Sequence, residues 1–449
     1  MAKQGISLFS GGGVADKGLT ENGIGLILSN EIVEERAALI KLNYPNSKVF
    51  VEDIWKCYPE IVTYTKWKLQ GNELFVMLAT PPCQGMSQNG AGTLLSNIRK
   101  GKRPEFDERN KLIIPALKVA AKLQPEWILF ENVPNMRNTI IEDENGNAIN
   151  IIELIRECLP EAYVGQEYVV EMADYGLPQR RKRLITIFTR NENAKKLYNK
   201  GIQLIPPRTH DKYADAGLLP WVNVGVVLEG FEPLDAKDKE NAISKKNPLH
   251  RVPVLDKKKY EWIRHTPKNS SAFDNQCINP KCMYKNNQVH GAKRDTSGIN
   301  KANKDTPLFC AKCGELLPRP YVESNGKKRI MSGYTSAYKR MSWELPAPTL
   351  TQNFIYPCSD HKIHPQQNRV LSYAEAAKLQ SISDYNYKWG TIEYKGKSYK
   401  IAPFSLIKDV IGESAPPLFF DLQTKWIQKL SSEGTERKAS ILSYANAKI

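Results

Sequence analysis

The 449-residue sequence predicts an α/β protein: a parallel-type sheet with helices on both faces, plus a smaller irregular domain that carries paired cysteines. Two observations lead there. Short apolar runs recur through the first 190 residues, each stopped by glycine, proline or an acid, as buried parallel strands are. Between residues 191 and 340 such runs give way to Lys-, Asn-, Gly- and Pro-rich sequence, with 28 Lys and Arg against 15 Asp and Glu.

The first run, residues 6–9, enters Gly11-Gly12-Gly13 and then a helix-like segment from Val14. The second, residues 25–30, ends at Glu31, and the third, residues 49–51, is followed by Asp53. Strand, glycine turn, helix, strand and acid form a nucleotide-type unit. Its glycines admit a ligand close to the backbone, and its acids accept ribose hydroxyls. The last spaced glycine of the dinucleotide fingerprint is missing, and a glycine trio alone is often just a tight turn. Together with Glu31 and Asp53 it predicts a nucleoside-bearing cofactor.

Residues 73–80 form the fourth run and end at Pro81-Pro82-Cys83-Gln84. Ligands of open α/β sheets sit outside the carboxyl ends of the strands, so Cys83 is a candidate nucleophile. The alternative for a lone cysteine is a small buried hydrophobe. Residues 126–130 deliver Glu131-Asn132-Val133 to the same edge. A desolvated glutamate suits proton donation there, and a helix N-cap or a surface acid is the plainer use of the same residue. Gln179-Arg180-Arg181-Lys182-Arg183 then runs into a strand-like stretch at 184–188. A basic run is usually a solvated face. In an extended chain, however, Gln179, Arg181 and Arg183 share one face and could meet an anionic substrate together.

Within the basic third stand Cys277-x4-Cys282 and Cys310-x2-Cys313, separated by 27 residues. Four thiolates at this spacing predict a ribbon-like structural Zn²⁺ site, with disulfides or free thiols as the other readings. No secretory segment is visible, and Cys57, Cys83, Cys158 and Cys358 fit no pairing pattern, so disulfides are disfavoured. His290 between the pairs is a substitute ligand or, more simply, an exposed loop residue. The net charge is +16, mostly from this third, which is the footprint of phosphate binding. No apolar run reaches membrane-spanning length, so a soluble cytoplasmic protein is expected.

Taken in order, these segments resemble the DNA (cytosine-5)-methyltransferase family. Phe9-Ser10-Gly11-Gly12-Gly13 is similar to its cofactor loop, and Asn30-Glu31-Ile32 and Asp53-Ile54 to its next two cofactor elements. Pro81-Pro82-Cys83-Gln84 resembles the nucleophile loop, the stretch from Asp107 through Arg109 to Leu112 the following helix, and Glu131-Asn132-Val133 the conjugate-acid motif. Gln179-x-Arg181-x-Arg183 is similar to the basic motif, and Tyr338-x-Arg340, Trp343, Pro348-Thr349, His364, Arg369, Glu375 and Leu379-Gln380 to the late motifs. The closing motif departs: Gly412-Glu413-Ser414 stands where the family has Gly-Asn and small residues.

The resemblance implies a Rossmann-like class I methyltransferase sheet split between residues 1–190 and 336–449. Residues 191–335 would be a target-recognition domain. It implies S-adenosylmethionine as cofactor, held by Phe9, Ser10, Gly11, Gly13, Glu31, Ile32, Asp53, Ile54, Pro81, Leu112, Glu413 and Ser414. The Glu413 carboxylate would lie near the methionine end, where it could change affinity or act on the ammonium group. The implied reaction is methylation at C5 of a cytosine flipped out of double-stranded DNA. Cys83 would add to C6, Glu131 would protonate or hydrogen-bond N3, and Arg181, with Arg183 assisting, would contact O2. A neighbouring cation would also lower the Cys83 pKa. A restriction-modification or related defence system, with the protein acting as a monomer, is the implied setting. The alternatives are the family's tRNA-methylating branch and a catalytically silent DNA-binding homologue. The long basic insert speaks against the first, and the intact Cys83, Glu131 and Arg181 against the second.

Overall fold

The computed structural model describes residues 3–83, 86, 107–294, 300–302, 305–331, 336–359 and 361–432. Seven strands make the main sheet: β1 (Gln4–Leu8), β2 (Gly25–Asn30), β3 (Lys48–Phe50), β4 (Val76–Ala79), β5 (Trp127–Asn132), β6 (Val164–Glu171) and β7 (Lys182–Thr189). Their spatial order is β3-β2-β1-β4-β5-β7-β6. The first five run parallel, and β7 is antiparallel to both neighbours. The result is a mixed α/β fold around a large, mostly parallel sheet.

Alternation along the central strands builds a core on each face. Met77, Ala79, Ile128 and Phe130 point into one core, with helices at Ile54–Leu69 and Ile113–Leu123. Val76, Leu78, Trp127 and Leu129 point into the other, where Phe419, Phe420 and Ile427 of the helix Pro417–Ser432 pack. That last helix packs beside the short helix Asp16–Thr20 that follows β1. Gly18, in the short helix Asp16–Thr20, makes the approach possible, since a Cβ there would lie 2.4 Å from the Asp421 backbone nitrogen. Asn22 Nδ2 donates to Asp421 Oδ1 at 2.7 Å across the same contact.

At the start of the basic third, Ala194, Leu204 and Ile205 pack against the sheet, and Val224, Val227 and Leu228 against the late segments. From residue 234 it has a separate core, in which Leu234, Trp262, Ile263, Phe273 and Ile330 pack with Tyr338, Ile363 and Val370. Its packing thus continues past residue 335. Buried Arg340 joins the parts by donating to the carbonyls of Ile263, Thr266 and His364. Among the described residues no helix is long and apolar enough to cross a membrane.

Candidate active site and cysteine cluster

Antiparallel pairing brings the end of β5 to the start of β7, with Ile185 opposite Glu131 and Leu184 opposite Asn132. Two motifs more than 40 residues apart meet there. Arg183 Nε lies 2.8 Å from Glu131 Oε1, and both side chains are nearly buried, 13% and 11% exposed. Next door, Asn132 Nδ2 donates to the Pro81 carbonyl at 3.1 Å, holding the proline loop that presents half-buried Cys83. Thr80 Oγ1 donates to the Phe9 carbonyl at 2.9 Å, which ties this loop to the one after β1. Gln84 lies outside the described residues.

The electrostatics correct one expectation. Burial pushes the Cys83 thiol above its ordinary value and the Glu131 charge adds to that, while Arg183 and Arg181 pull it down by less. The resting residue is a thiol held up by burial, where the sequence predicted a depressed pKa.

Arg181 needs a second correction. It is fully buried, and its guanidinium donates to the Leu350 and Ser414 carbonyls, each at 2.9 Å. Burial brings its pKa down to about 9. Its Nε has no partner among the described residues. Gln179, also buried, exchanges hydrogen bonds with Gln380 (2.6 Å) and the Leu350 N–H (2.8 Å). The alternate members of the basic run do share a face. Gln179 and Arg181 spend it on the returning C-terminal segments, and it is Arg183 that reaches Glu131. Arg180, on the other face, sits over the Trp221 ring at 5.9 Å.

The loop after β1 takes left-handed backbone at three positions. Phe9 has φ +55°, Gly11 +56° and Gly13 +73°, left-handed values that glycine adopts without strain. A Cβ built on Gly11 would meet nothing within 4 Å, whereas one on Gly12 would strike Val410 and Tyr387. Ser10 is buried and hydrogen-bonded to Ser7. Glu31 accepts the Gly11 N–H (2.9 Å) and the Val33 N–H (2.8 Å), which aims its carboxylate at the glycine loop. Burial pushes its pKa up. Beside it Ile32 is 63% exposed, an apolar surface at a strand end.

Other expected cofactor residues have structural duties. Asp53 Oδ1 caps the helix Ile54–Leu69 through the Trp55 N–H at 3.0 Å, and Ile54 is buried in the core. Pro81 is buried and Leu112 half-buried against the same core. Glu413 is not a lone carboxylate: it pairs with Arg36 and accepts from Gln352. Ser414 turns its hydroxyl onto the Val410 carbonyl. Sequence reasoning missed Arg36, and it named Arg109 within the helix motif without giving it a role. Arg109, held by Asp107 at 2.9 and 2.6 Å, lies within electrostatic reach of Cys83.

Far along the chain, four thiols converge. The sulfurs of Cys277, Cys282, Cys310 and Cys313 lie within 4.8 Å of one another. Cys277 and Cys313 are 3.6 Å apart, and Cys282 and Cys310 are 3.9 Å apart. A disulfide needs about 2.05 Å. Tetrahedral Zn²⁺ with Zn–S near 2.3 Å puts its sulfurs about 3.8 Å apart. His290 takes no part: its ring stacks on Phe273 and Nδ1 bonds Thr306 at 2.8 Å. It is half-buried, so the exposed-loop reading fails as well.

Comparison with known proteins agrees with this layout. A family model described as C-5 cytosine-specific DNA methylase matches residues 4–420. The type II methyltransferase M1.HgaI of Avibacterium volantium is 28% identical over 442 residues, covering 94% of this chain and 97% of that protein. The type II methyltransferase M.AgeI of Thalassovita gelatinovora is 22% identical, covering 92% and 96%. A solved structure described as a prophage-encoded DNA modification methyltransferase (E. coli) shares the fold, with TM-score 0.54, 18% identity and coverage of 96% and 99%. With a family match spanning nearly the whole chain, and a strand edge that joins Cys83, Glu131 and Arg183, this protein belongs to the C-5 cytosine-specific DNA methylases.

Proposed function

We propose that the protein methylates C5 of a flipped-out cytosine at a specific sequence in duplex DNA, as the modification partner of a restriction-modification system. The observation that carries this reading is the Arg183–Glu131 pair beside Cys83. The type II names of its relatives support the setting.

Cytosine C5 is a poor nucleophile. Addition of the Cys83 sulfur to C6 makes C5 an enamine carbon, which splits one hard step into easier ones. The Cys83 thiol proton leaves as the sulfur–C6 bond forms. Glu131, a carboxylate in its resting pair with Arg183, takes it up and holds it at N3 as charge develops on the ring. Arg183 meets O2, supported by its pairing with Glu131, and Arg181 acts as a positioning residue through the C-terminal carbonyls it binds. After transfer, loss of the C5 proton expels the thiolate and restores the ring.

The glycine loop suits S-adenosylmethionine. The open space over Gly11 admits a ligand, the Glu31 carboxylate faces it, and exposed Ile32 offers an apolar platform for a base. When bound, the cofactor supplies the electrophilic methyl group. Phe9, Ser10, Gly13 and the Arg36–Glu413 pair would flank the bound cofactor. In the insert, Cys277, Cys282, Cys310 and Cys313 hold one Zn²⁺ that staples a loop-rich module, supported by sulfur spacings of 3.6 and 3.9 Å.

The test is transfer of labelled methyl from S-adenosylmethionine to duplex DNA and to tRNA, with bisulfite sequencing of the DNA. Label at cytosine in a defined DNA sequence is the expected result. Label in tRNA alone, or none, contradicts the proposal.

A further inference from the structure

The two turns of the cysteine cluster carry an apolar tip that the insert's core does not cover. Ile278 follows Cys277 and is 42% exposed, Met283 follows Cys282 and is 49% exposed, and Phe309 precedes Cys310 and is 50% exposed. Each adjoins a metal-ligand cysteine, so a bound ion would fix its direction. Met283 has φ +46°, matching Gly314 at +75° after Cys313. A large side chain is thus kept at a turn position that favours glycine. Ile278 and Met283 line one shallow cavity with Pro267, and Lys285 stands at its edge.

Exposed apolar groups gathered beside four sulfurs that lie within 4.8 Å of one another mark a contact surface. Charge selects the partner. Lys281, Lys285 and Lys312 are exposed on these same turns, and residues 191–340 carry 28 Lys and Arg against 15 Asp and Glu. A second copy of this chain would be repelled, and a polyanion attracted. Duplex DNA offers both surfaces at once: phosphates on the rim, and base edges, including the thymine methyl group, inside the groove.

We propose that Ile278, Met283 and Phe309 enter a groove of duplex DNA and contact base edges, while Lys281, Lys285 and Lys312 hold the flanking phosphates. The proposal rests on the DNA-methylating reading above and adds the part of the insert that reads sequence. Apolar contacts to bases discriminate among sites, whereas phosphate contacts set affinity and its salt dependence.

The test combines Ile278→Ser, Met283→Ser and Phe309→Ser in the full chain. Zinc content and S-adenosylmethionine binding are measured first, and both are expected at the wild-type level. A randomised duplex pool is then methylated and bisulfite-sequenced. At one or more positions of the modified site, base preference should fall about tenfold, within the usual range for one base contact. The salt dependence of binding to the pool should keep its slope. An unchanged methylation pattern with zinc retained overturns the proposal. Should the triple variant lose zinc, Met283→Ala alone is put through the same measurement, with the same two outcomes. A wild-type protein that leaves no 5-methylcytosine in the pool overturns the DNA-methylating reading itself, and this one with it.

Discussion

Arg183 and Glu131 form an ion pair with Nε 2.8 Å from Oε1, and the pair exists because β7 runs antiparallel to β5. A parallel β7 would have carried Arg183 to the opposite end of the sheet. The pair keeps two nearly buried charges satisfied. Glu131→Gln should slow methyl transfer about 10²–10⁴-fold, as loss of a general acid does. Arg183→Ala should cost a comparable factor. Because the two act as one unit, the double variant should fall well short of the product of the single effects. Single-turnover rates on a methylatable duplex measure this, and strictly multiplicative losses would refute the coupling.

The Cys83 thiol, raised first by burial and then by Glu131, and pulled back by Arg183 and Arg181, gives a pH prediction with a definite sign. Alkylation of Cys83 in the free protein should rise with pH through a thiol pKa above the ordinary value. Glu131→Gln removes a negative neighbour and should move the profile to lower pH. Arg183→Gln removes a positive one and should move it to higher pH. Iodoacetamide labelling followed by peptide mass spectrometry reads each curve, and shifts in the reverse directions would contradict the electrostatic assignment.

The two arginines should also separate by phenotype. Arg181 satisfies the buried Leu350 carbonyl and shares the Ser414 carbonyl with Gln380, so Arg181→Ala leaves the first unpaired, at about 1–3 kcal/mol. A clearly lowered melting midpoint is expected. Arg183→Ala leaves the nearly buried Glu131 carboxylate unpaired and should melt low as well, but adding Glu131→Gln to it should recover most of that loss while turnover stays low. An Arg181→Ala protein that melts at the wild-type midpoint would remove the positioning role given to Arg181.

For the cysteine cluster, elemental analysis should return about one zinc per chain. Cys310→Ser should lower that content and destabilise the insert, because metal-binding free energy in such modules is folding free energy. The sheet cores share no residue with the insert's core, so cofactor binding should persist. Full zinc occupancy in Cys310→Ser would exclude the site.

Much of this was legible in the sequence because strands buried on both faces are short apolar runs with sharp stops. β2 was read at its observed bounds, and β1, β4 and β5 to within a few residues. The Cys83, Glu131 and Arg183 edge followed, since each lies at such a stop. β6 was not read: Val164–Glu171 is an edge strand with a mixed burial pattern and no apolar run. The direction of β7 was invisible too, for periodicity does not encode strand polarity. Side-chain duties were the least legible. Arg181 and Asp53 have residue types that suit ligands, and tertiary neighbours claim them for carbonyls and a helix N-terminus. The Arg36 partner of Glu413 lies 377 residues away, and no local pattern could announce it.

Covalent trapping tests the central claim most directly. Duplex DNA with 5-fluorocytosine at the methylated position is incubated with the protein and S-adenosylmethionine. Fluorine at C5 cannot leave as a proton does, so the sulfur–C6 bond should persist as a denaturation-resistant adduct. Mass spectrometry should locate it on the peptide bearing Cys83, and Cys83→Ser should form none while still binding DNA and cofactor. An adduct on another residue, or methylation of ordinary cytosine by the Cys83→Ser protein, would contradict the mechanism.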